Sequence, residues 1–206
     1  MNDRSAETPR RRGRPPRVQE DMPTRARIVN AAARLMRRNG YHAMGLNDVV
    51  SSGRAPKGSL YHYFPGGKEQ IAGEALRTAG QRVTASITTT LSAGGEVAEN
   101  LRSFAQLLAD DLERSEFRNG CPIATTTLDA ASDSDVIQSA AAKCFAEWHD
   151  TLAEWLRTRG HSATDAAELA ALLVAAFEGA LLTARAHRSS APIHDIAETL
   201  ARRLSL

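Results

Sequence analysis

A short segment between Pro56 and Pro65 combines polar and aromatic side chains with two apolar ones at helical spacing. Leu60 and Phe64 are four residues apart, so on a helix they would share one face, which we expect to pack against a core. The opposite face would present hydroxyl, imidazole and ammonium groups, which suit hydrogen bonds to base edges in the major groove of DNA. The residues available for this are Lys57, Ser59, Tyr61, His62 and Tyr63, and Gly58 would let the backbone lie close to phosphates.

Each of these residue types also has a simpler interpretation. A tyrosine can be a packing aromatic, a histidine can occupy a solvated helical position, and a lysine can be an ordinary surface charge. The joint pattern is less expected by chance than any one of its members. We therefore predict a DNA-contacting helix.

Two neighbouring helix starts supply groups for the DNA backbone. Lys68 lies at the start of the next helix, where free N–H groups and a positive charge together suit a phosphate oxygen. Thr24 and Arg25 can do the same at the start of the first helix, where Thr24 is the expected N-cap.

Three short helices must position these side chains. The first is predicted from Thr24 to the Asn39-Gly40 stop, and the second carries Leu46, Val49 and Val50 and ends near Gly53. The third carries Leu60 and Phe64 and ends at Pro65-Gly66-Gly67. Three short helices with a tight turn between the second and third form a helix-turn-helix pattern.

The charge distribution supports a polyanionic partner for this part of the chain. The 206 residues carry a net charge of +2, but residues 1–68 hold 14 Lys/Arg against 5 Asp/Glu, and residues 69–206 hold 12 against 19. The first part is thus +9 and the second −7. A basic module joined to an acidic one predicts that only the first binds nucleic acid.

Residues 1–23 are rich in arginine and proline and have little to bury, so we expect a disordered basic arm. We predict that its arginines enter a narrow A·T-rich minor groove. The alternative is a tail that binds phosphates without reading sequence. The residues concerned are Arg10, Arg11, Arg12 and Arg14.

The motifs of residues 24–76 resemble the N-terminal signature of TetR-type transcriptional regulators. They are Gly40-Tyr41, Leu46-Asn47-Asp48-Val49-Val50, Lys57-Gly58-Ser59-Leu60-Tyr61-His62-Tyr63-Phe64 and Lys68-Glu69. Ala55-Pro56, the Phe-Pro-Gly-Gly-Lys-Glu-Gln ending and a later Asn-Gly-Cys-Pro-Ile-Ala are similar to the lincomycin-type multidrug repressors. Two departures concern the turns: Arg54 stands where the family usually has glycine, and Met44-Gly45 where a capping Thr-Ser pair is common.

The resemblance implies a two-domain, all-α regulator. Residues 24–68 would form the DNA-binding domain and residues 69–206 a helical domain that binds a ligand and forms a homodimer through its last two long helices. The implied function is a repressor that binds palindromic operator DNA as a dimer and is released by a small apolar molecule. The DNA-contacting roles given above carry over position by position.

The pattern of apolar residues after Lys68 predicts longer helices without reference to the family resemblance. We place them at about 68–92 and 96–115, after Pro122, from Asp133-Ser134 to Gly160, from a Thr164 cap to about Arg188, and from Pro192. No segment alternates with period two, so no sheet is predicted. The helix over 165–188 is apolar nearly all round, which indicates cover from a partner subunit.

Candidate ligand contacts in this domain are large apolar side chains and one carboxylate. They are Phe104, Leu108, Leu128, Phe145, Trp148, Leu152, Phe177 and Glu178, although each apolar one can equally be plain core. An unpaired buried carboxylate is costly, so Glu178 would contact a cationic ligand, pair with Arg185, or lie at a dimer rim. Cys121 is expected to be a packing residue rather than a redox sensor.

Other classes of protein find little support. There is no glycine-rich phosphate loop, metal-ligand cluster or convincing nucleophile arrangement, so we expect no enzyme activity, catalytic residue, metal or cofactor. The longest apolar stretch, Leu169 to Ala184, contains Glu178 and is shorter than a bilayer demands. Two cysteines indicate a reduced cytoplasmic setting. A DNA-architectural protein without a sensor domain is the remaining alternative.

Overall fold

The computed structural model describes residues 22–56 and 58–204, and within these ranges all regular secondary structure is α-helical. The all-α prediction is therefore confirmed. The helices are α1 (Thr24–Asn39), α2 (Leu46–Ser52), α3 (Ser59–Tyr63), α4 (Gly67–Ser92), α5 (Val97–Arg114), α6 (Pro122–Ala130), α7 (Asp135–Thr158), α8 (Ala163–His187) and α9 (Ala191–Leu204).

The first three helices pack around a small core that α4 completes. Helix α1 contacts both α2 and α4, and Ile28 and Val49 are fully buried between them. Leu60 and Phe64 are also buried, as their spacing predicts. Burying them fixes which side of α3 faces outward.

The start of α1 differs from the sequence-based expectation. Pro23 occupies the N-cap position and Thr24 is the first helical residue, so the prediction that Thr24 caps the helix is wrong. The Thr24 hydroxyl instead accepts a hydrogen bond of 3.3 Å from the Arg27 guanidinium. Proline suits a helix start because it has no N–H to leave unpaired.

The turn between α2 and α3 contains a residue in the left-handed conformation. Arg54 has φ +48°, whereas Gly53 before it is right-handed with φ −80°. The Arg27 guanidinium donates to the Arg54 carbonyl at 3.2 Å and so ties the turn to α1. The position where the family usually has glycine thus keeps the conformation that favours glycine.

The longer helices form a second layer in which α4 packs along α7, α7 on α8, and α9 on both α5 and α8. Gly80 permits a close approach between α4 and α7, because a Cβ there would lie 2.4 Å from Cys144 Sγ. The Gly80 carbonyl accepts a 3.2 Å hydrogen bond from Trp148 Nε1. This contact places the Trp148 ring inside the domain.

Side-chain caps set the starts of α7 and α8. Of the two residues expected to open α7, Asp133 and Ser134, it is Ser134 that caps the helix, by accepting from the Ile137 N–H. The predicted Thr164 cap of α8 is wrong, because the helix begins at Ala163 and Ser162 accepts from the Asp165 N–H at 3.1 Å.

Helix α8 is the most apolar element. By length and composition alone it could cross a bilayer, but core helices of soluble proteins meet the same criteria. Of its most apolar 18-residue stretch, 33% is buried within the protomer. It contacts α7 and α9 on its inner side. Leu172 and Leu182 remain 51% and 61% exposed, so its outer side is uncovered.

Candidate DNA interface and apolar cavity

The outer side of α3 presents aromatic side chains to solvent. Tyr61 is 68% exposed, His62 is exposed, and Tyr63 is half-buried against the core. The His62 and Tyr63 rings pack edge to face with centroids 5.1 Å apart. This surface offers one phenol and one imidazole for hydrogen bonds to a partner, while Tyr63 partly supports the helix.

The N-terminal end of α3 is open and locally capped. Gly58 is exposed, and a Cβ at this position would meet nothing within 4 Å, so the space beside its backbone is free for an external group. The Ser59 hydroxyl donates to the Pro56 carbonyl at 2.7 Å and is therefore used in part within the turn. Lys57 lies outside the described residues, as do Arg10, Arg11, Arg12 and Arg14.

Arg25 is held beside α3 by two contacts. Its guanidinium lies 5.0 Å from the centroid of the Phe64 ring and forms a 2.7 Å ion pair with Glu74 of α4. The Arg25 side chain is still 49% exposed. It can therefore offer remaining N–H groups to a phosphate from a fixed position.

Lys68 is held in a similar way at the start of α4. Its ammonium lies 4.6 Å from the centroid of the Tyr41 ring and donates to the His42 carbonyl at 3.1 Å. Burial, and then the nearby Glu69 carboxylate, raise the pKa of Tyr41, so the phenol stays neutral. Lys68 thus connects α4 to the loop between α1 and α2.

An apolar cavity of about 90 Å³ lies inside the helical layer formed by α4, α5, α7 and α8. Six of the eight predicted ligand contacts line it: Phe104, Leu108, Trp148, Leu152, Phe177 and Glu178. The Phe104 and Phe177 rings meet edge to face at 5.3 Å. The cavity wall is apolar except for a few groups that include Glu178 and Arg37.

The structure places the other two predicted contacts elsewhere. Leu128 is 80% exposed and lines an open groove of about 630 Å³ between α6 and α8. Phe145 lines the same groove, and its ring packs edge to face on Trp148 at 5.2 Å. The reason is helix orientation: α6 turns Ile123 and Thr126 inward, which leaves Leu128 on the outer side.

Glu178 forms no ion pair with any cation among the described residues. Arg185, the partner considered from sequence, instead donates to the Arg38 carbonyl at 3.4 Å. Burial raises the pKa of Glu178, and a hydrogen bond with the Cys121 thiol partly opposes this. Burial, followed by the Glu178 charge, raises the pKa of Cys121 well above its usual range.

Arg37 is a cavity residue that sequence analysis missed. It lies in the last turn of α1, and it is the one residue of 24–56 and 58–68 found in the cavity wall. Its Nε donates to the Gly120 carbonyl at 2.7 Å, and its guanidinium pairs with the Asp111 carboxylate. The Gly120 N–H returns a 3.4 Å hydrogen bond to the Arg37 carbonyl. No local pattern indicates contacts between residues so distant in the chain.

A second contact joins α6 to the end of α1. Asp129 Oδ2 accepts a 2.8 Å hydrogen bond from the His42 N–H. Gly40, with φ +81°, leaves room for it, because a Cβ there would lie 2.7 Å from the same oxygen. Helices α1 and α6 are thus in direct contact beside the cavity.

A helix-turn-helix unit with an exposed aromatic face, joined to a helical layer around an apolar cavity, defines the architecture of a two-domain DNA-binding regulator. Comparison with family models agrees. Residues 28–75 match the bacterial regulatory proteins of the tetR family, and residues 97–199 match the C-terminal domain of LmrA/YxaF-like transcriptional regulators. The chain belongs to the TetR family, is similar to its LmrA/YxaF-like members, and is a regulator rather than an enzyme.

Individual relatives cover most of the chain. The HTH-type transcriptional regulator LmrA of Bacillus subtilis is 31% identical over 86% of this chain and 94% of its own length. An uncharacterised HTH-type regulator of Mycobacterium tuberculosis (strain H37Rv) is 39% identical over 82% of this chain and 88% of its own.

Solved structures show the same fold. A TetR regulator from Legionella pneumophila matches with a TM-score of 0.78 at 21% identity, over 90% of this chain and 99% of that one. A TetR regulator from Chloroflexus aurantiacus matches with a TM-score of 0.75 at 27% identity, over 88% and 94%.

Proposed function

We propose that this protein is a ligand-responsive repressor that binds palindromic operator DNA as a homodimer and leaves it when a small apolar molecule enters the cavity. The observation that carries this proposal is the position of Arg37. It belongs to the DNA-binding domain, yet it forms part of the wall of a cavity in the other domain. A change in the cavity therefore acts directly on α1.

In this proposal the exposed side of α3 reads the major groove. Tyr61 and His62 contact base edges, Ser59, Tyr63 and the Gly58 backbone support the approach, and Lys57 adds a positive charge. Thr24, Arg25 and Lys68 contact phosphates. The basic arm extends the contact through Arg10, Arg11, Arg12 and Arg14, and the +9 charge of residues 1–68 favours all of these contacts.

The uncovered side of α8 supports the proposal that a homodimer forms through the last two long helices, α8 and α9. Leu172 and Leu182 are large, apolar and more than half exposed, whereas α9 already packs its apolar face on α5 and α8. A twin α8 is an apolar surface of matching character. A two-fold axis there would set two α3 helices against operator half-sites about 34–36 Å apart or a multiple of this. A protein that acts on operator DNA in this way would work in the cytoplasm.

The effector must widen the cavity in order to bind. The present volume of about 90 Å³ is smaller than the roughly 300–1,000 Å³ of typical ligand sites. An apolar molecule would therefore push apart the helices that carry Phe104, Trp148 and Phe177. Glu178, which lacks a cation partner, favours an effector that directs a hydrogen-bond donor toward it.

Widening the cavity would disturb the contacts that hold the DNA-binding domain. Arg37 joins α1 to α5 and to Gly120, Asp129 joins α6 to the loop after α1, and α4 runs from the cavity to Lys68. An effector releases DNA only if it binds the DNA-free arrangement more strongly. These contacts are the ones that would differ between the two arrangements.

Selection from a randomised duplex pool tests the proposal. The full-length protein should enrich one palindromic sequence whose half-sites are about one helical turn apart or a multiple of this. Small apolar compounds that raise the melting temperature of the protein should then release the selected duplex. Enrichment without any consensus, or cavity-binding compounds that leave the complex intact, would contradict the proposal.

A further inference from the structure

A second depression, separate from the apolar cavity, lies where the two domains meet. It has a volume of about 720 Å³ and is lined mainly by polar and charged side chains. Arg38 from the end of α1 and Arg185 and Arg188 from the end of α8 reach it, together with Arg118 from the segment before α6. Four arginines from three parts of the chain therefore surround one space.

The depression carries a net positive charge, because four arginines line it with only two carboxylates. Two carboxylates line the depression, but Glu116 pairs with Arg118 at 2.6 Å and Glu113 accepts the Ser190 hydroxyl at 2.5 Å. In the described part of the chain, the other three arginines have no carboxylate within ion-pair distance. Four guanidinium groups beside two carboxylates leave a net positive charge in the depression, so an anion among the three arginines without an ion pair would be stabilised.

The backbone around the depression turns sharply at the ends of α5 and α8. Of the four non-glycine residues with positive φ in residues 22–56 and 58–204, three line it: Glu116 at +53°, Phe117 at +59° and Arg188 at +50°. Arg188 is the C-cap of α8, and Glu116 and Phe117 follow the end of α5, where the left-handed conformation commonly ends a helix. These helix ends bring Arg118 and Arg188 to the depression.

We propose that the depression binds a small polyanion that carries at least two negative charges on phosphate or carboxylate groups. Arginine suits such groups because its planar N–H pairs can donate two parallel hydrogen bonds. The helix dipole explains why an arginine is favourable at the C-terminus of α1 or of α8. It does not explain why the arginines of both helices line the same depression.

Operator DNA is the competing occupant, because Lys68 contacts the loop that directly follows Arg38, but three of the four arginines belong to the C-terminal domain. Arg38 follows Thr24 by 14 residues along α1, so it lies about 21 Å from the helix end beside α3 at 1.5 Å per residue. A small anion that contacts Arg38 and Arg188 together would join the DNA-binding domain to the C-terminal domain. It would therefore act on their relative placement without entering the apolar cavity.

Thermal unfolding of the full chain with inorganic pyrophosphate or citrate tests this inference. The melting temperature should rise saturably by several degrees with at least one of them, beyond the effect of sodium chloride at equal ionic strength. Pyrophosphate alone would indicate a phosphate ligand, and citrate alone a carboxylate ligand. No rise beyond that of chloride would overturn the proposal.

Variants locate the effect. Arg188→Gln and Arg38→Gln should each raise the half-saturating concentration of the anion about tenfold or more, because a charge-assisted bidentate contact is lost. Arg203→Gln, an exposed residue near the end of α9, removes the same charge elsewhere and should behave as wild type. Circular dichroism confirms folding. An unchanged response in Arg188→Gln, or protection by short duplex DNA but by neither small anion, would overturn the assignment.

Discussion

Arg37 Nε donates a hydrogen bond of 2.7 Å to the Gly120 carbonyl, and this bond joins the end of α1 to the segment before α6. The same guanidinium pairs with Asp111 of α5 and forms part of the cavity wall. A residue of the DNA-binding domain therefore depends on the geometry of the other domain. This relationship gives the coupling between the domains a specific physical form.

Replacing Arg37 should weaken the junction of the domains. We expect Arg37→Gln to lower the free energy of unfolding by about 1–2 kcal/mol, since the Gly120 carbonyl and the Asp111 carboxylate lose a charged donor. The Arg37 and Asp111 side chains are 30% and 38% exposed, so solvent screening keeps the effect modest. Urea unfolding measures it. Arg34→Gln, on the same helix, is the control, and equal stabilities of the two variants would contradict the role of Arg37.

The buried carboxylate of Glu178 should make stability depend on pH. The pKa of Glu178 in the folded protein is raised above the usual 4.5. Its contribution to the free energy of unfolding is therefore fully present below pH 4.5 and is lost as the pH rises through the pKa of the folded protein. Glu178→Gln is never charged, and it should therefore gain stability relative to wild type between pH 5 and pH 8.

The control for Glu178 is a carboxylate with the opposite shift. The hydrogen bond from Arg102 lowers the pKa of Glu198, whose contribution changes only as the pH falls below 4.5. The difference between Glu198→Gln and wild type should be flat from pH 5 to pH 8. If the difference in stability between Glu178→Gln and wild type were also constant from pH 5 to pH 8, the burial of the Glu178 carboxylate would be contradicted.

Both cysteines should resist alkylation in the folded protein. Burial raises the pKa of Cys144 from 9.0 to about 11, and that of Cys121 well above 9.0. At pH 8 the Cys144 thiolate fraction would be about one in a thousand, against about one in ten for an unperturbed thiol. Mass spectrometry after iodoacetamide treatment should show slow labelling that becomes rapid in denaturant. Rapid labelling of Cys121 in the native protein would indicate an exposed, reactive thiol instead.

Replacing Arg54 by glycine should relieve the backbone strain of the turn between α2 and α3. A non-glycine residue at φ +48° is disfavoured by about 1 kcal/mol or more. We expect Arg54→Gly to be more stable than Arg54→Ala by about 1 kcal/mol, which is roughly 2–4 °C in melting temperature for a chain of this size. Both variants remove the same side chain, so their difference isolates the backbone. An Ala variant as stable as the Gly variant would show that the turn is unstrained.

Local sequence signals predicted the elements well. The Asn39-Gly40 stop, the break before Pro122 and the Leu60–Phe64 spacing each depend on a few adjacent residues, and the structure follows all three. The two wrong caps, Thr24 and Thr164, differ from the observed caps by one and two residues. Competing residues nearby, Pro23 and Ser162, satisfy the helix starts instead.

Long-range contacts explain what the sequence could not reveal. Apolar composition identified Phe104 and Phe177 as cavity candidates, but it could not separate them from Leu128, because the two sides of α6 differ only through packing. Arg37 appeared as an ordinary helix-terminal arginine. Its role depends on Asp111 and Gly120, which the fold brings to it from another domain.

The affinity of Tyr61→Ala for the duplex that the wild-type protein selects is the most direct test of the central claim, that the exposed side of α3 reads DNA. The ring is 68% exposed, so its removal should leave thermal unfolding unchanged. We expect affinity for the selected duplex to fall about tenfold or more while affinity for unrelated duplex stays the same. Unchanged affinity and selectivity in the folded variant would contradict the claim.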